Sequence, residues 1–288
     1  MATQQHNGLI RDFDLKQQSV SVGYKIILIF GVAVSLLGIA PLIWMILCGF
    51  KGTREFVAGT NIIPESFKLD GYITTWTQLR FARYYVNSLI SVGGSVACAV
   101  FFNGLLGYAI SKIRPAGSTI VLMLVLWSLL IPNTTSVVPL FINIVRLRLV
   151  GTFIPLWLSV GANAFFVVLF KNFFDELPQS LIEAAQIDGA RDFTIFMKIA
   201  VPLSKPIIMV IVIYAINAAW SDFLLPYLVL SQTDLETVMV RLFGFRMGRS
   251  NDIDIIRALV FSIIPPVILF IIFQKQITGI AIQSGIRG

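Results

Sequence analysis

The charged side chains with the most chemical potential lie in one polar stretch, residues 183–206, between two long apolar segments. Glu183 and Asp188 bracket the small residues Ala184 and Ala185, and Arg191 follows closely. Carboxylates flanking small residues let another surface approach closely and meet it with charge. We therefore interpret this stretch as a surface for docking another protein rather than as a catalytic centre.

The elements that position these charges are two short helices joined by a turn. Pro178 suits the first turn of a helix, so residues 178–187 are predicted as one helix that Gly189 ends. Asp192 opens a second helix, and Val201-Pro202 is expected to stop it. Its apolar residues recur at three- and four-residue spacing and predict one buried face: Phe193, Phe196, Met197 and Ala200.

Several enzyme classes are excluded by the residues that the chain lacks. It contains no G-x-x-x-x-G-K-[ST] segment, so it has no phosphate-binding loop for ATP. His6 is the sole histidine and lies in the polar N-terminal segment, and Gly94-Ser95 lacks the glycine of a nucleophile elbow. No apolar segment holds a histidine that would activate a serine. Cys48 and Cys98 lie in apolar segments and are read as small buried hydrophobes rather than as metal ligands.

Composition places the chain in a bilayer. Apolar residues make up 57% and charged residues 13% of the 288 positions, and the mean hydropathy is +0.85. Such a chain has too few charges to cover a soluble globule. The net charge of +7 fits lipid head groups at the interfaces and gives no basic patch for nucleic acid. Six apolar segments approach the spanning length of about 20 residues: 26–50, 86–110, 120–145, 153–170, 207–230 and 255–273.

Prolines interrupt two of these segments, Pro132 and Pro139 in the third and Pro265-Pro266 in the sixth. A proline frees a backbone carbonyl, which is tolerated in lipid only where a neighbour or a water-filled path satisfies it. These positions are therefore either gating joints or packing kinks. Trp76 and Tyr85, with Tyr72 and Tyr84, are predicted to form an interfacial aromatic belt.

The polar stretch carries a family resemblance. Glu183-Ala184-Ala185, Gly189 three residues after Gln186, and residues 199–202 (IAVP) resemble the EAA loop of permease subunits in ATP-binding-cassette (ABC) importers. Residues 217–223 (NAAWSDF) and the C-terminal segment from Gln274 resemble the second permease of maltose-type carbohydrate importers. The resemblance covers residues 26–288 and leaves residues 1–25 as an N-terminal cytoplasmic tail.

The resemblance implies an all-α membrane protein with six spans and a cytoplasmic coupling loop at about 173–205. It implies a non-catalytic subunit with no cofactor in this chain, since ATP and Mg would be bound by partner subunits. The implied partners are a second permease, two ATPase subunits and an extracytoplasmic sugar-binding protein. The residues implied to contact the ATPase are Glu183, Ala184, Ala185, Asp188, Gly189, Arg191 and Asp192.

Three polar residues within or near the spans are candidates for the translocation path: Asn163, Asn217 and Asp222. Carboxylates within spans are costly and usually face a cavity, a partner or the bundle interior. Asp222 lies near the end of its span beside Trp220, which favours an interfacial structural role. In the maltose-type family the sugar is held mainly by the other permease, so these residues need not contact substrate.

The segment between the fifth and sixth spans, 231–254, is predicted to be a long loop. By resemblance, Phe243, Gly244 and Phe245 would reach into the cleft of the external binding protein. The alternative is a solvated loop on the membrane surface. Arg241, Arg246, Arg249 and Arg257 suggest an acidic oligosaccharide such as an alginate fragment, on charge alone.

Orientation does not follow from charge, because Lys and Arg divide evenly, eleven on each side. The resemblance alone places the termini and the Glu183 loop in the cytoplasm, in a bacterial inner membrane. The competing function is an ATP-independent secondary transporter or channel, although no clear internal repeat is present. A membrane scaffold that holds another protein is a third alternative, and an amphipathic hairpin lying on the membrane is the competing structure for the loop.

Overall fold

The computed structural model describes residues 18–59, 61–248 and 251–286, and the predicted tail mostly lies outside them. The described residues form helices and contain no strand. Helices α1 to α8 are Gln18–Phe50, Thr53–Ala58, Asp70–Gln78, Phe81–Tyr108, Ser118–Ser128, Asn133–Arg146, Ile154–Gly161 and Ala164–Glu176. Helices α9 to α15 are Gln179–Ile187, Asp192–Ile195, Val201–Leu203, Lys205–Ser221, Leu224–Leu230, Val238–Met247 and Asp252–Ile286. Two π-helical turns, Ala109–Ile113 and Phe196–Ala200, extend α4 and α10.

Some predicted spans are single helices and others are broken. Residues 22–50, 81–113 and 252–274 are each long and apolar enough to cross a membrane. The fourth predicted span is the pair α7 and α8, bent by 44°. The third divides into α5 and α6 at Pro132, whereas Pro139 and Pro265-Pro266 lie inside helices and do not interrupt them. The six-span count stays a prediction.

The chain packs as two units, and the first comprises residues up to Ile73 together with 251–260. In this unit Arg257 is nearly buried, at 9% exposure. Its guanidinium donates to the carbonyls of Gly49 and Lys51, each at 2.8 Å, and to Asp254 Oδ1 at 2.7 Å. Arg257 thus caps the C-terminal end of α1, so its charge is not free to meet an acidic substrate.

The second unit comprises residues 74–250 and those from Phe261 onward, and α4 is its central helix. Helices α4 and α8 approach closely at Gly107, where a Cβ would lie 2.8 Å from Phe170 Cβ and 3.0 Å from the backbone nitrogen of Lys171. Only glycine allows backbones to come this close. The same contact places the aromatic residues of α8 against the end of α4 that leads into the π-helical turn.

The break between α7 and α8 is closed by a buried amide. Asn103 of α4, at 1% exposure, donates to the carbonyls of Ala99 and Val160 at 2.8 and 3.1 Å. Its Oδ1 accepts from the backbone N–H of Asn163 at 2.9 Å. A helix break exposes backbone groups that lipid does not satisfy, so Asn103 makes the break tolerable within an apolar bundle.

Candidate functional site

The polar stretch folds into the predicted pair of helices, here called the hairpin (residues 179–203). Helix α9 follows Pro178, which is the residue before the helix rather than its first turn. The second arm begins at Asp192 and runs through the π-helical turn to Leu203, one residue beyond the predicted stop at Val201-Pro202. This arm meets α12 at a bend of 83°. The hairpin therefore projects across the direction of the following apolar helix.

Gly189 makes the turn of the hairpin. The φ of Gly189 is +80°. The N–H of Gly189 donates to Gln186 O at 3.0 Å, and the N–H of Ala190 donates to Ala185 O at 2.9 Å. These are the two hydrogen bonds of a Schellman motif, which ends a helix with one left-handed residue. Gln186 Nε2 also donates to Asp192 Oδ1 at 3.2 Å and ties the two arms together. The predicted role of Gly189 in the turn is confirmed.

The inner face of the hairpin belongs to the main core of the second unit. Ile182, Ile195, Phe196 and Ala200 are buried with the rings of α4 and α8. The ring of Phe196 lies 5.4 Å from that of Tyr108, which lies 5.6 Å from Phe174. The predicted apolar face is only half right. Phe193 and Met197 are 56% and 43% exposed, because the face that packs on the core is the one carrying Ile195 and Phe196.

The outer face of the hairpin is charged and open. The exposed members of the predicted contact set are Glu183, Ala184, Asp188, Gly189, Arg191 and Asp192. Ala185 differs, since it is half-buried and packs on the core. Ile187 is 86% exposed, and Phe193 adds a second exposed apolar side chain. Apolar side chains surrounded by charge on a rigid element are typical of a protein-binding surface.

The base of the hairpin is fixed by residues that the sequence did not single out. Lys112 Nζ donates to the carbonyl of Leu177 at 2.7 Å, just after α8 ends. Asp175 accepts from Ser111 Oγ and pairs with Lys171, both at 2.6 Å. The spacing of Lys171 and Asp175 predicts an i,i+4 pair on α8. The links to Ser111 and Lys112 have no local signal, because they join residues more than sixty positions apart.

The three candidates for the translocation path each engage neighbours in sequence. Asn163 is the N-cap of α8 and accepts from Phe166 N at 3.2 Å. Asn217 is exposed and accepts from Ser221 Oγ at 3.4 Å. The Asp222 carboxylate lies against the backbone amides of Phe223, Leu224 and Leu225 at the start of α13. Their role in a path stays a prediction.

The expectation of a loop over 231–254 is wrong, since Phe243, Gly244 and Phe245 lie within the helix α14. Asn87 of α4 donates to the carbonyls of Asp234 and Glu236 at 2.9 and 3.0 Å, and Ser88 Oγ accepts from Val238 N at 2.9 Å. These bonds fix the start of α14, and Val238, Val240 and Leu242 are buried along it. Buried apolar side chains and a fixed first turn favour a helix over a loop.

Phe243 is half-buried in α14. Its ring lies 4.8 Å from that of Phe223 and 5.4 Å from that of Tyr227. Gly244 is exposed, and no atom lies within 4 Å of a Cβ built there. Phe243 is therefore held by its own chain, whereas Gly244 marks an open face of the helix. Within the described part of the chain, no three His, Cys, Asp or Glu residues lie close enough to hold a metal ion.

Comparison with known proteins identifies the family. Residues 15–284 match the model of the binding-protein-dependent transport system inner membrane component. The chain belongs to this family. The predicted resemblance to importer permeases is thereby confirmed, and membership supports a non-catalytic permease subunit over an ATP-independent transporter.

Two relatives and one solved structure are similar over most of their lengths. The diacetylchitobiose uptake system permease protein NgcG of Streptomyces coelicolor is 26% identical over 88% of this chain and 85% of its own. The arabinooligosaccharides transport system permease protein AraQ of Halalkalibacterium halodurans is 31% identical over 88% and 93%. A chain in the crystal structure of a bacterial ABC transporter involved in the import of the acidic polysaccharide alginate matches with a TM-score of 0.79 and 21% identity, over 90% and 98%. This likeness shows the fold.

The turn generates a direct prediction about Gly189. Replacement by Ala places no atom in contact but strains the left-handed backbone by about 1 to 2 kcal/mol. We expect thermal unfolding of the purified chain in detergent to begin several degrees lower in Gly189→Ala. Gly189→Asn is the control, because Asn tolerates this conformation better, and it should remain close to the wild type. Equal midpoints for wild type and Gly189→Ala would contradict the role given to the turn.

Proposed function

We propose that this chain forms half of the translocation path of an ABC importer for a sugar or oligosaccharide. An external binding protein delivers the substrate, and separate ATPase subunits drive transport through the hairpin. Family membership supports the dependence on a binding protein. The names of relatives that handle diacetylchitobiose and arabinooligosaccharides support the substrate class.

The observation that carries the coupling proposal is the continuity of the hairpin with the apolar helices. Ile182 and Phe196 of the hairpin share one core with Tyr108 of α4, Phe174 of α8 and Ile211 of α12. Close-packed interiors transmit displacement because they are not readily compressed. A force applied to the hairpin therefore reaches three apolar helices without a flexible joint between them.

The outer face of the hairpin is the proposed docking surface for an ATPase subunit. ATP and Mg are bound by that partner, and this chain supplies Glu183, Ala184, Asp188, Gly189, Arg191 and Asp192 to the contact, with Ala185 holding α9 against the core. Coupling requires that the hairpin bind the open and closed ATPase arrangements with different free energies. The apolar helices then face outward when ATP is clamped and inward after hydrolysis, which is alternating access.

The proposed assembly contains a second permease, two ATPase subunits and a binding protein in a bacterial inner membrane. The hairpin and both termini then lie in the cytoplasm, and α14 lies on the external side. The exposed Gly244 of α14, with the half-buried Phe245 beside it, is the proposed contact with the binding protein, while Phe243 packs against the rings of its own chain. Asn163, Asn217 and Asp222 are kept as candidates for the path.

The structure narrows the argument for an acidic substrate. Of the four arginines that suggested an acidic substrate, Arg257 is bound to its own chain and the Arg241 guanidinium lies 5.4 Å from the centre of the Tyr84 ring. Arg246 is exposed, and Arg249 lies outside the described residues. Because two of the four are held within the chain, their combined charge no longer favours an acidic oligosaccharide over a neutral one. The proposal therefore stops at sugars and oligosaccharides as a class.

Reversing the charge of Glu183 tests ATPase docking. Glu183→Lys should lower ATP hydrolysis stimulated by the loaded binding protein at least about tenfold, the change that about 1.4 kcal/mol of lost docking free energy produces. The reconstituted complex is assayed with its binding protein and a mixture of diacetylchitobiose, arabinooligosaccharides and alginate oligosaccharides. Glu65→Lys is the control, since it makes the same charge change at an exposed site in another segment. Unchanged stimulation in Glu183→Lys would count against the docking proposal.

Enlarging Gly244 tests contact with the binding protein. Gly244→Trp should remove stimulation by the binding protein while leaving assembly and basal ATP hydrolysis intact, because the side chain projects from an open helix face. Gly244→Ala is the matched control and should behave as the wild type, since Ala favours the helix. Binding of the labelled binding protein to the complex in nanodiscs is measured directly. Equal affinity for the Trp and Ala variants would exclude this face of α14 from the contact.

A further inference from the structure

Two consecutive prolines lie within α15, and the helix continues through them. A proline has no N–H, so the carbonyl four residues earlier loses its helical donor. Pro265 removes the donor for Phe261 O, and Pro266 removes the donor for Ser262 O. In an apolar bundle each of these carbonyls needs another partner.

Side chains from two other helices supply donors to the same two carbonyls. The hydroxyl of Tyr85, on α4, donates to Phe261 O. The indole Nε1 of Trp220, on α12, donates to Ser262 O at 3.0 Å. Trp220 is 5% exposed and Ser262 is 6% exposed, so water does not readily replace this second bond. Tyr85 and Trp220 thus donate to the same two carbonyls that lose their helical donors to Pro265 and Pro266.

Aromatic packing holds both donors in place. The rings of Tyr85 and Trp220 lie 5.6 Å apart, and Trp76 lies 5.3 Å from Tyr85 and 5.0 Å from Phe261. Phe81 completes the cluster at 5.2 Å from Phe261. Trp76 and Tyr85, which the sequence placed in an interfacial belt, therefore pack on rings of their own chain. Rings packed edge to face have few alternative orientations.

The two helices that supply these donors also receive the hairpin. Ala99 and Tyr108 of α4, and Ile211 and Ala215 of α12, belong to the core that contains Ile182 and Phe196. Tyr85 and Tyr108 are 23 positions apart on α4, about 35 Å along the axis at about 1.5 Å per residue. Each of these helices thus joins the hairpin at one region to a carbonyl of α15 at another.

We infer that Tyr85 and Trp220 are positioning residues that link the hairpin's movement to α15 from Phe261 onward. The inference rests on the proposed coupling function and names the contacts that pass its movement to the last helix. An unbroken helix would satisfy these carbonyls itself and would meet α4 and α12 only through side-chain packing. The prolines leave two backbone acceptors that α4 and α12 hold by direct hydrogen bonds.

A cavity beside the prolines connects this link to transport. A cavity of the second unit is lined by Asn217 and Trp220 of α12 together with Pro266 and Phe270 of α15. Displacement of α15 relative to α12 changes the shape of this cavity. Asn217, a candidate for the translocation path, therefore lies where the link would act.

The test is a register-specific set of double mutants in the whole complex. Tyr85→Phe keeps the ring and removes the donor, whereas Trp220→Phe removes the donor and replaces the indole with a smaller ring. Pro266→Ala restores an N–H for Ser262 O, and Pro265→Ala restores one for Phe261 O. Each donor variant is combined with each proline variant, and thermal unfolding and transport per ATP hydrolysed are measured, with the binding protein and the oligosaccharide mixture given above.

We expect Tyr85→Phe alone to lower the unfolding midpoint by about 2 to 4 °C, the shift typical of about 1 kcal/mol. Trp220→Phe should lower it further, because the smaller ring also leaves a cavity. Measured against the proline variant alone, Trp220→Phe should cost less in the Pro266→Ala background than in the wild type and the same in the Pro265→Ala background. Tyr85→Phe should show the opposite dependence. Transport per ATP should fall several-fold in the donor variants and stay low in the matched double mutants. In these double mutants the carbonyl is satisfied within α15, but the hydrogen bond that joins α15 to α4 or α12 is still missing.

Two results would overturn the inference. If rescue does not depend on which proline is replaced, the paired hydrogen bonds are wrong. If the thermal pattern appears but transport per ATP is unchanged, the bonds are structural and pass no movement. Thermal unfolding needs no substrate, so a wild-type complex that shows no ATP-dependent uptake would refute the proposed transport function while the hydrogen-bond pairs are still decided.

Discussion

The packing of the hairpin onto the aromatic core is the interaction on which the rest of this structure depends. A short pair of helices at a membrane surface has no stability of its own, since isolated helices of this length are marginal in water. Phe196 and Ile182 stabilise it by joining the rings of Tyr108 and Phe174. Gly107 allows α4 and α8 to approach closely enough for those rings to meet. The exposed charges of the hairpin are thereby presented by a rigid support.

A second constraint is that an apolar bundle must satisfy every backbone polar group that a break or a proline frees. Asn103 meets this need at the break before α8, and Lys112 meets it where α8 ends. Tyr85 and Trp220 meet it at the paired prolines. In each case the donating side chain lies outside the helix whose backbone group it satisfies. Irregular backbone therefore becomes a place where helices are joined by directional bonds rather than by packing alone.

The family and the hairpin were predictable from the sequence because their signals are local. Gly189 at the turn, the polar residues around it and the flanking apolar segments fix the pair of helices within one or two residues. The π-helical turn was missed because it leaves no composition signal, and the exposure of Phe193 and Met197 was missed because the core contacts the face that carries Ile195. Helix α14 was missed because the segment between the fifth and sixth predicted spans was interpreted as a connecting loop. The bonds of Asn87 and Ser88 that stabilise its start come from about 150 residues away.

The long-range donors were beyond sequence reasoning for the same reason. The prolines of α15 predict that two backbone carbonyls lack their helical donors. Nothing in the neighbouring sequence predicts that Tyr85 and Trp220 replace those donors. Arg257 shows the converse, since its charge suggested a substrate contact and the fold uses it to hold the end of α1. Arg257 and Trp220 thus donate hydrogen bonds to backbone carbonyls of other segments.

The most direct test of the account is to purify the tagged chain gently from its native host and identify the proteins that accompany it. The account predicts a P-loop ATPase and a second permease with the wild type. The Gly189→Asp variant, with a distorted turn and an added charge on the docking face, should retain the second permease and lose the ATPase. Recovery of the chain alone or as a homodimer, with uptake intact in ATP-depleted vesicles, would contradict the account.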